Sequence, residues 1–182
     1  GFIFVQANGS ITVSDDVIAG NDAIQTSAGT ITLRAIAANG NVIVKDTILS
    51  DVGAIVIEAN QDIIVDGSTG LSELGDTDNI AIVTTTTGNI TLRADADGTL
   101  NGVGGSIIMT DGSRVIAGRD AAAIALYDPR REGTVLPLPP VISLSTTPQS
   151  LGFAEITLLA DGSITVGSIQ SANADSAAIL VR

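Results

Sequence analysis

Residues Gly29-Thr30-Ile31-Thr32-Leu33-Arg34-Ala35, followed by Gly40-Asn41-Val42-Ile43-Val44, carry the phrase pair from which the fold can be read. In each phrase apolar and other residues alternate, so Ile31, Leu33 and Ala35 face one way and Thr32 and Arg34 the other. That is the two-residue period of a strand, written in β-branched residues suited to a pleated surface. The second phrase recurs as GSITV at 9–13, QDIIV at 61–65, GSIIM at 105–109 and GSITV at 162–166. The first recurs at Ile90–Ala94, as ITLLA at Ile156–Ala160, and more loosely at Ile55–Ala59. Each copy of the ITLRA phrase precedes a copy of the GSITV phrase. A third phrase, Ala-Ile, stands at Ala23-Ile24, Ala81-Ile82, Ala123-Ile124 and Ala178-Ile179.

Strands this short cannot bury an apolar face alone. Stacking equivalent strands in parallel aligns their Ile and Val side chains in a continuous interior column. The spacing of GSITV copies is 31, 21, 44 and 57 residues, which suits a coil of about 20 residues with loops inserted at its corners. The expected fold is all-β: a right-handed parallel β-helix, or solenoid, with corner loop insertions and about four to seven rungs. One β-helix segment is expected to span 1–182, with 127–153 an insertion within it, and its strand-like ends read as those of a fragment of a longer chain. A β-sandwich is the structural alternative, disfavoured because the phrases repeat as sequence and not only as pattern. No dozen-residue segment keeps a helical period.

Composition agrees. Hydrophobic residues are 45% of the chain but aromatics only 2%, so Ile, Val, Leu and Ala must fill the interior. Cysteine and histidine are absent, which removes thiolate sites and the commonest general base. The net charge of −12 disfavours nucleic acid as a partner. No signal peptide or bilayer-spanning stretch is visible.

On its Gly29–Ala35, Gly88–Ala94 and Gly162–Val166 phrases the chain resembles the filamentous haemagglutinin family of large exoproteins. The likeness covers most of the chain outside 127–153. It implies export across a Gram-negative envelope, extracellular or cell-surface display, and adhesion or filament formation. It brings no catalytic residues.

Segment 127–153 breaks the pattern with all five Pro, the only Tyr and an Arg pair. A Pro-rich run cannot join a central ladder. This insertion is either a projecting loop with Tyr127, Arg130 and Arg131 at its base, or a flap over apolar surface. Its content of Val, Leu and Ile favours the flap. A surface for it, or for another chain, is expected at Ile43, Ile64 and Ile108, the outward positions of the middle GSITV copies. The end copies have Thr12 and Thr165 there, and the ITLRA phrases present Thr32, Val56, Thr91 and Thr157.

Acidic turns at Asp15-Asp16, Asp76 with Asp78, Asp95 with Asp97, and Asp111 with Asp120 offer weak beginnings of a Ca²⁺ site. The further ligands of a Ca²⁺ loop are lacking, and ordinary turn chemistry is the favoured account. No other cofactor is expected. A polysaccharide-cleaving β-helix is the competing class, but Lys45 is the only Lys and neighbouring Asp15 and Asp16 point to opposite faces. The expectation is therefore a non-enzymatic structural or adhesive stalk, with a self-assembling filament subunit or a polysaccharide-binding module as alternatives. Its partners would be adjacent coils of the parent protein or of another copy end to end, and a host or cell-surface glycan or protein.

Overall fold

The computed structural model describes residues 1–14, 24–67, 82–85, 88–96, 105–110, 113–117, 156–166, 168–171 and 179–181. Among them the chain makes strand after strand in threes. The first turn holds β1 (Ile3–Ala7), β2 (Ile11–Val13) and β3 (Ile24–Thr26), and the second β4 (Ile31–Ala35), β5 (Val42–Val44) and β6 (Ile48–Ser50). The third holds β7 (Ile55–Ala59), β8 (Ile63–Val65) and β9 (Ile82–Thr85), and the fourth β10 (Ile90–Ala94), β11 (Ile107–Met109) and β12 (Arg114–Ala117). The fifth holds β13 (Ile156–Leu159), β14 (Ile164–Thr165) and β15 (Ser168–Ser171), and β16 (Ile179–Val181) opens a sixth.

Every third strand pairs in parallel, giving a six-stranded first sheet, β1-β4-β7-β10-β13-β16, and two five-stranded sheets. The second sheet is β2-β5-β8-β11-β14 and the third β3-β6-β9-β12-β15. This is a parallel β-helix. The ITLRA phrases form the first sheet and the GSITV phrases the second. Ile3–Ala7 takes the place of a further ITLRA copy, with Ile3 on Ile31 and Ala7 on Ala35.

The interior is a set of columns. Ile31, Ile55, Ile90 and Ile156 stack in register, as do Leu33, Ile57, Leu92 and Leu158. All eight are fully buried. The second sheet adds Val42, Ile63 and Ile107, and the third adds Ile48, Val83 and Val115, to the same core. Burial of each large aliphatic side chain contributes about 1.5–3 kcal/mol, so the columns are the main source of cohesion. They thin at the ends of the stack: in the same column Val5 is 39% exposed and Val181 50%.

The Ala-Ile phrase is not one face. Ile24 and Ile82 lie in the third sheet, but Val83 and not Ile82 stacks on Ile48, a one-residue offset. Ile179 belongs to the first sheet, on Ile156. Ile124 lies outside the described residues.

The turns are held by ladders that run between rungs. At the corner from third to first sheet, a hydroxyl residue is followed three positions later by Gly: Thr26 and Gly29, Ser50 and Gly53, Thr85 and Gly88. Ser50 Oγ donates to Gly29 O at 3.0 Å and accepts the Gly53 N–H at 2.8 Å. Thr85 Oγ1 repeats this one rung on, donating to Gly53 O at 2.8 Å and accepting the Gly88 N–H at 3.0 Å. A Cβ on Gly53 would overlap the Gly29 carbonyl, and one on Gly88 the Gly53 carbonyl. Close approach of successive backbones thus requires glycine here.

Candidate functional site

Of the residues proposed for a partner surface, Ile43, Ile64 and Ile108 lie on the second sheet. Its short strands alternate cleanly: Val42 and Val44 point into the core and Ile43 is half-buried between them, with the same pattern at Ile63–Val65 and Ile107–Met109. Register stacks Thr12, Ile43, Ile64, Ile108 and Thr165 in one outward column. Ile43, Ile64 and Ile108 are therefore neither inward nor bare. Each is half-covered, as Thr32, Val56, Thr91 and Thr157 are on the first sheet. The expected contrast between a solvated Thr face and a covered Ile face does not show in these burials. Neighbouring side chains on adjacent rungs, about 4.8 Å apart, shield one another on either sheet.

Polar rails border the Ile column on both sides. On one side stand Ser10, Asn41, Asp62, Ser106 and Ser163, each just before an inward Ile or Val. Their side chains form a directional ladder in which each oxygen accepts the backbone N–H of the next rung. Ser10 Oγ accepts from Asn41 N at 3.1 Å, Asn41 Oδ1 from Asp62 N at 2.9 Å, and Asp62 Oδ1 from Ser106 N at 2.7 Å. Ser106 Oγ completes it with Ser163 N at 3.2 Å. On the other side Thr110 Oγ1 donates to Asp66 Oδ1 at 3.1 Å and accepts the Gly67 N–H at 2.8 Å. The apolar band is thus one residue wide and three rungs tall, smaller than the patches that mark interfaces by size alone.

The third sheet has an outward apolar position that the sequence phrases did not reveal. Ile116 stacks on Thr84 and, through it, on Leu49 at the outward position. It is only 2% exposed, yet it stands apart from the core cluster. Arg114-Val115-Ile116-Ala117 matches none of the repeated phrases, and its three consecutive apolar residues give no alternation from which the outward one could be read.

On the first sheet the outward column Gln6, Arg34, Glu58, Arg93 and Leu159 carries the charge. Arg34 Nε lies 2.7 Å from Glu58 Oε2, one rung apart. An ion pair this open to solvent contributes about 1 kcal/mol or less.

The acidic candidates separate. Asp76, Asp78 and Asp97 lie outside the described residues, as do Tyr127, Arg130, Arg131 and the whole 127–153 insertion. Asp95 is described. It follows β10 in a left-handed conformation, φ 59°, and is 6% exposed. In earlier rungs the residue after the last Ala of the strand donates to the rung before: Ile36 N to Ala7 O and Asn60 N to Ala35 O, both at 3.0 Å. In this rung Ala96 N makes that bond with Ala59 O at 3.0 Å, and Asp95 N reaches Gln61 O at 3.4 Å. Asp95 is thus an extra, bulge-like residue, and Asp tolerates its positive φ better than most. Among the described residues no three His, Cys, Asp or Glu gather where they could hold a metal ion.

Compared with protein-family models, with curated proteins and with solved structures, the chain finds no match.

Proposed function

We propose that this chain is a structural module of a large secreted bacterial surface protein, a stiff β-helical stalk used for attachment. The supporting observation is the directional ladder from Ser10 to Ser163, in which each rung offers side-chain oxygens to the N–H groups of the next. Such a ladder has a head and a tail, and it is satisfied by further coils of the same kind. Phe4 and Val5 in the first turn, and Ile179 and Val181 in the last described strand, are exposed apolar residues. Open edges are templates for pairing. The fitting partner is an adjacent coil, from the parent protein or from a second copy, and a head-to-tail contact that does not close would grow a filament.

Attachment to a host or cell-surface glycan or protein belongs to the same reading. The polysaccharide-binding alternative draws on Phe4, an exposed ring beside the first-sheet Thr column. The test is to display the chain on an anchored bacterial surface and to challenge the soluble chain with a glycan panel. Increased attachment of displaying cells, with end-to-end association of the soluble chain, is the expected result. No gain in attachment, together with discrete monomers that bind one glycan, would replace the stalk with a sugar-binding module.

A further inference from the structure

Polar side chains at the corners are consumed by the fold. The hydroxyls of Ser50, Thr85, Ser106 and Thr110 all bond across to a neighbouring rung. The outward face of the first sheet is different. Among the described residues the side chains of Thr91, Arg93 and Thr157 make no hydrogen bond or ion pair. Each is half-buried, and β10, which carries two of them, lies within the sheet between β7 and β13.

Register makes them one patch. Thr91 and Arg93 point out of the same strand, about 6.6 Å apart. Thr157 stands beside Thr91 and Leu159 beside Arg93 on the next rung, about 4.8 Å away. Two hydroxyls, a guanidinium and an aliphatic side chain thus mark the corners of a shallow rectangle, wide enough for a sugar ring.

Glu58 decides which arginine of the column is available. It is in register with Arg34 on one side and Arg93 on the other, but its carboxylate lies 2.7 Å from Arg34 Nε. Arg93 keeps its fork of donors unengaged, a geometry matched to a carboxylate. The column therefore offers one open cation, on a chain of net charge −12. A densely sulfated polymer would meet more repulsion than one arginine offsets. A sugar chain with widely spaced carboxylates fits. Its acid group takes Arg93, its ring hydroxyls take Thr91 and Thr157, and its C–H face lies on Leu159.

On the attachment reading given above, we propose that Thr91, Arg93, Thr157 and Leu159 form a binding site for an acidic glycan whose carboxylate-bearing sugars alternate with neutral ones. Glu58 and Arg34 are positioning residues, because their pairing keeps Glu58 off Arg93.

The probe is a hexasaccharide of alternating glucuronate and N-acetylglucosamine, titrated into the full chain and followed by NMR. Its carboxyl-reduced form and a fully sulfated hexasaccharide run beside it. The parent chain is expected to bind the uronate form in preference to both, and more weakly as salt rises. Arg93→Gln is expected to weaken binding about ten-fold, with an unchanged thermal midpoint. Arg34→Gln is expected to weaken it as well, since Glu58 then turns to Arg93, whereas Glu58→Gln tightens it by releasing Arg34. Side chains with a merely structural role would not move affinity in these opposite directions. The proposal is overturned if the parent binds no uronate hexasaccharide, or binds the reduced or sulfated form as tightly. It is equally overturned if Arg93→Gln binds like the parent, or if Arg34→Gln and Glu58→Gln shift affinity in the same direction. Attachment of displaying cells that persists beside any of those results removes this site and leaves the stalk standing.

Discussion

Ser50 shows what a single residue does in this architecture. It occupies an inward position of the third sheet, where most columns carry aliphatic side chains, and it is fully buried. Its hydroxyl both donates and accepts, so no hydrogen-bonding capacity is stranded in the apolar interior. Thr85 does the same in the next rung. Removing the hydroxyl leaves the Gly53 N–H and the Gly29 carbonyl short of a partner at a buried corner. Ser50→Ala is expected to cost about 1–3 kcal/mol, read as a lower urea midpoint with little change in slope. A loss within error would mean that water or a backbone shift replaces the hydroxyl. The Arg34–Glu58 pair lies at the other extreme: the two groups are close but too exposed to matter much.

Each strand makes its contacts with the strand one full turn away, so a corner is judged by whether it keeps that register. Corners of very different length do so. From second to third sheet the chain crosses from Val44 to Ile48, but also from Val65 to Ile82, and the columns on either side remain aligned. The glycine corner is less tolerant, because successive backbones touch. Gly53→Ala would drive its methyl into the Gly29 carbonyl, and neither atom belongs to a flexible side-chain end. Overpacking of this kind costs about 1–3 kcal/mol, occasionally more. The expected result is a marked fall in thermal midpoint, while Gly9→Ala leaves it unchanged. Equal midpoints for the two variants would show that the third-to-first corner can shift to admit a side chain.

Across the whole molecule, the division between inward and outward columns decides which substitutions are felt. Ile57 and Ile64 are both isoleucines in the third turn. Ile57 lies at the centre of the core, in a column of fully buried side chains, whereas Ile64 faces out. Ile57→Ala is expected to cost about 2–5 kcal/mol. Ile64→Thr, which restores the residue found at Thr12 and Thr165 in the same column, is expected to stay within about 1 kcal/mol of the parent. Chemical unfolding of the two variants side by side checks this. If Ile64→Thr proved as damaging as Ile57→Ala, the stripe would be a buried contact surface of the folded chain.

The amino-acid sequence by itself determined the parallel β-helix, the pairing of like phrase with like phrase, and the inward and outward sides of the first two sheets. It could do so because a two-residue period and near-identical phrases are local properties, readable from Ile31–Ala35 and Val42–Val44 alone. The third sheet was decided only by the tertiary structure. Its strands share little sequence, from Gln25 to Arg114, and Val83 displaces Ile82 because the columns beneath select whichever neighbour fills the core. The same holds for Ile3–Ala7, where Phe4 and Gln6 disguise the phrase but Ile3, Val5 and Ala7 complete its columns. Likewise the role of Asp95 and the ladder from Ser10 to Ser163 depend on contacts between residues 21 or more positions apart. Local patterning dictates which way a strand faces; only stacking brings together the polar atoms of successive turns, and those contacts are invisible until the register is set.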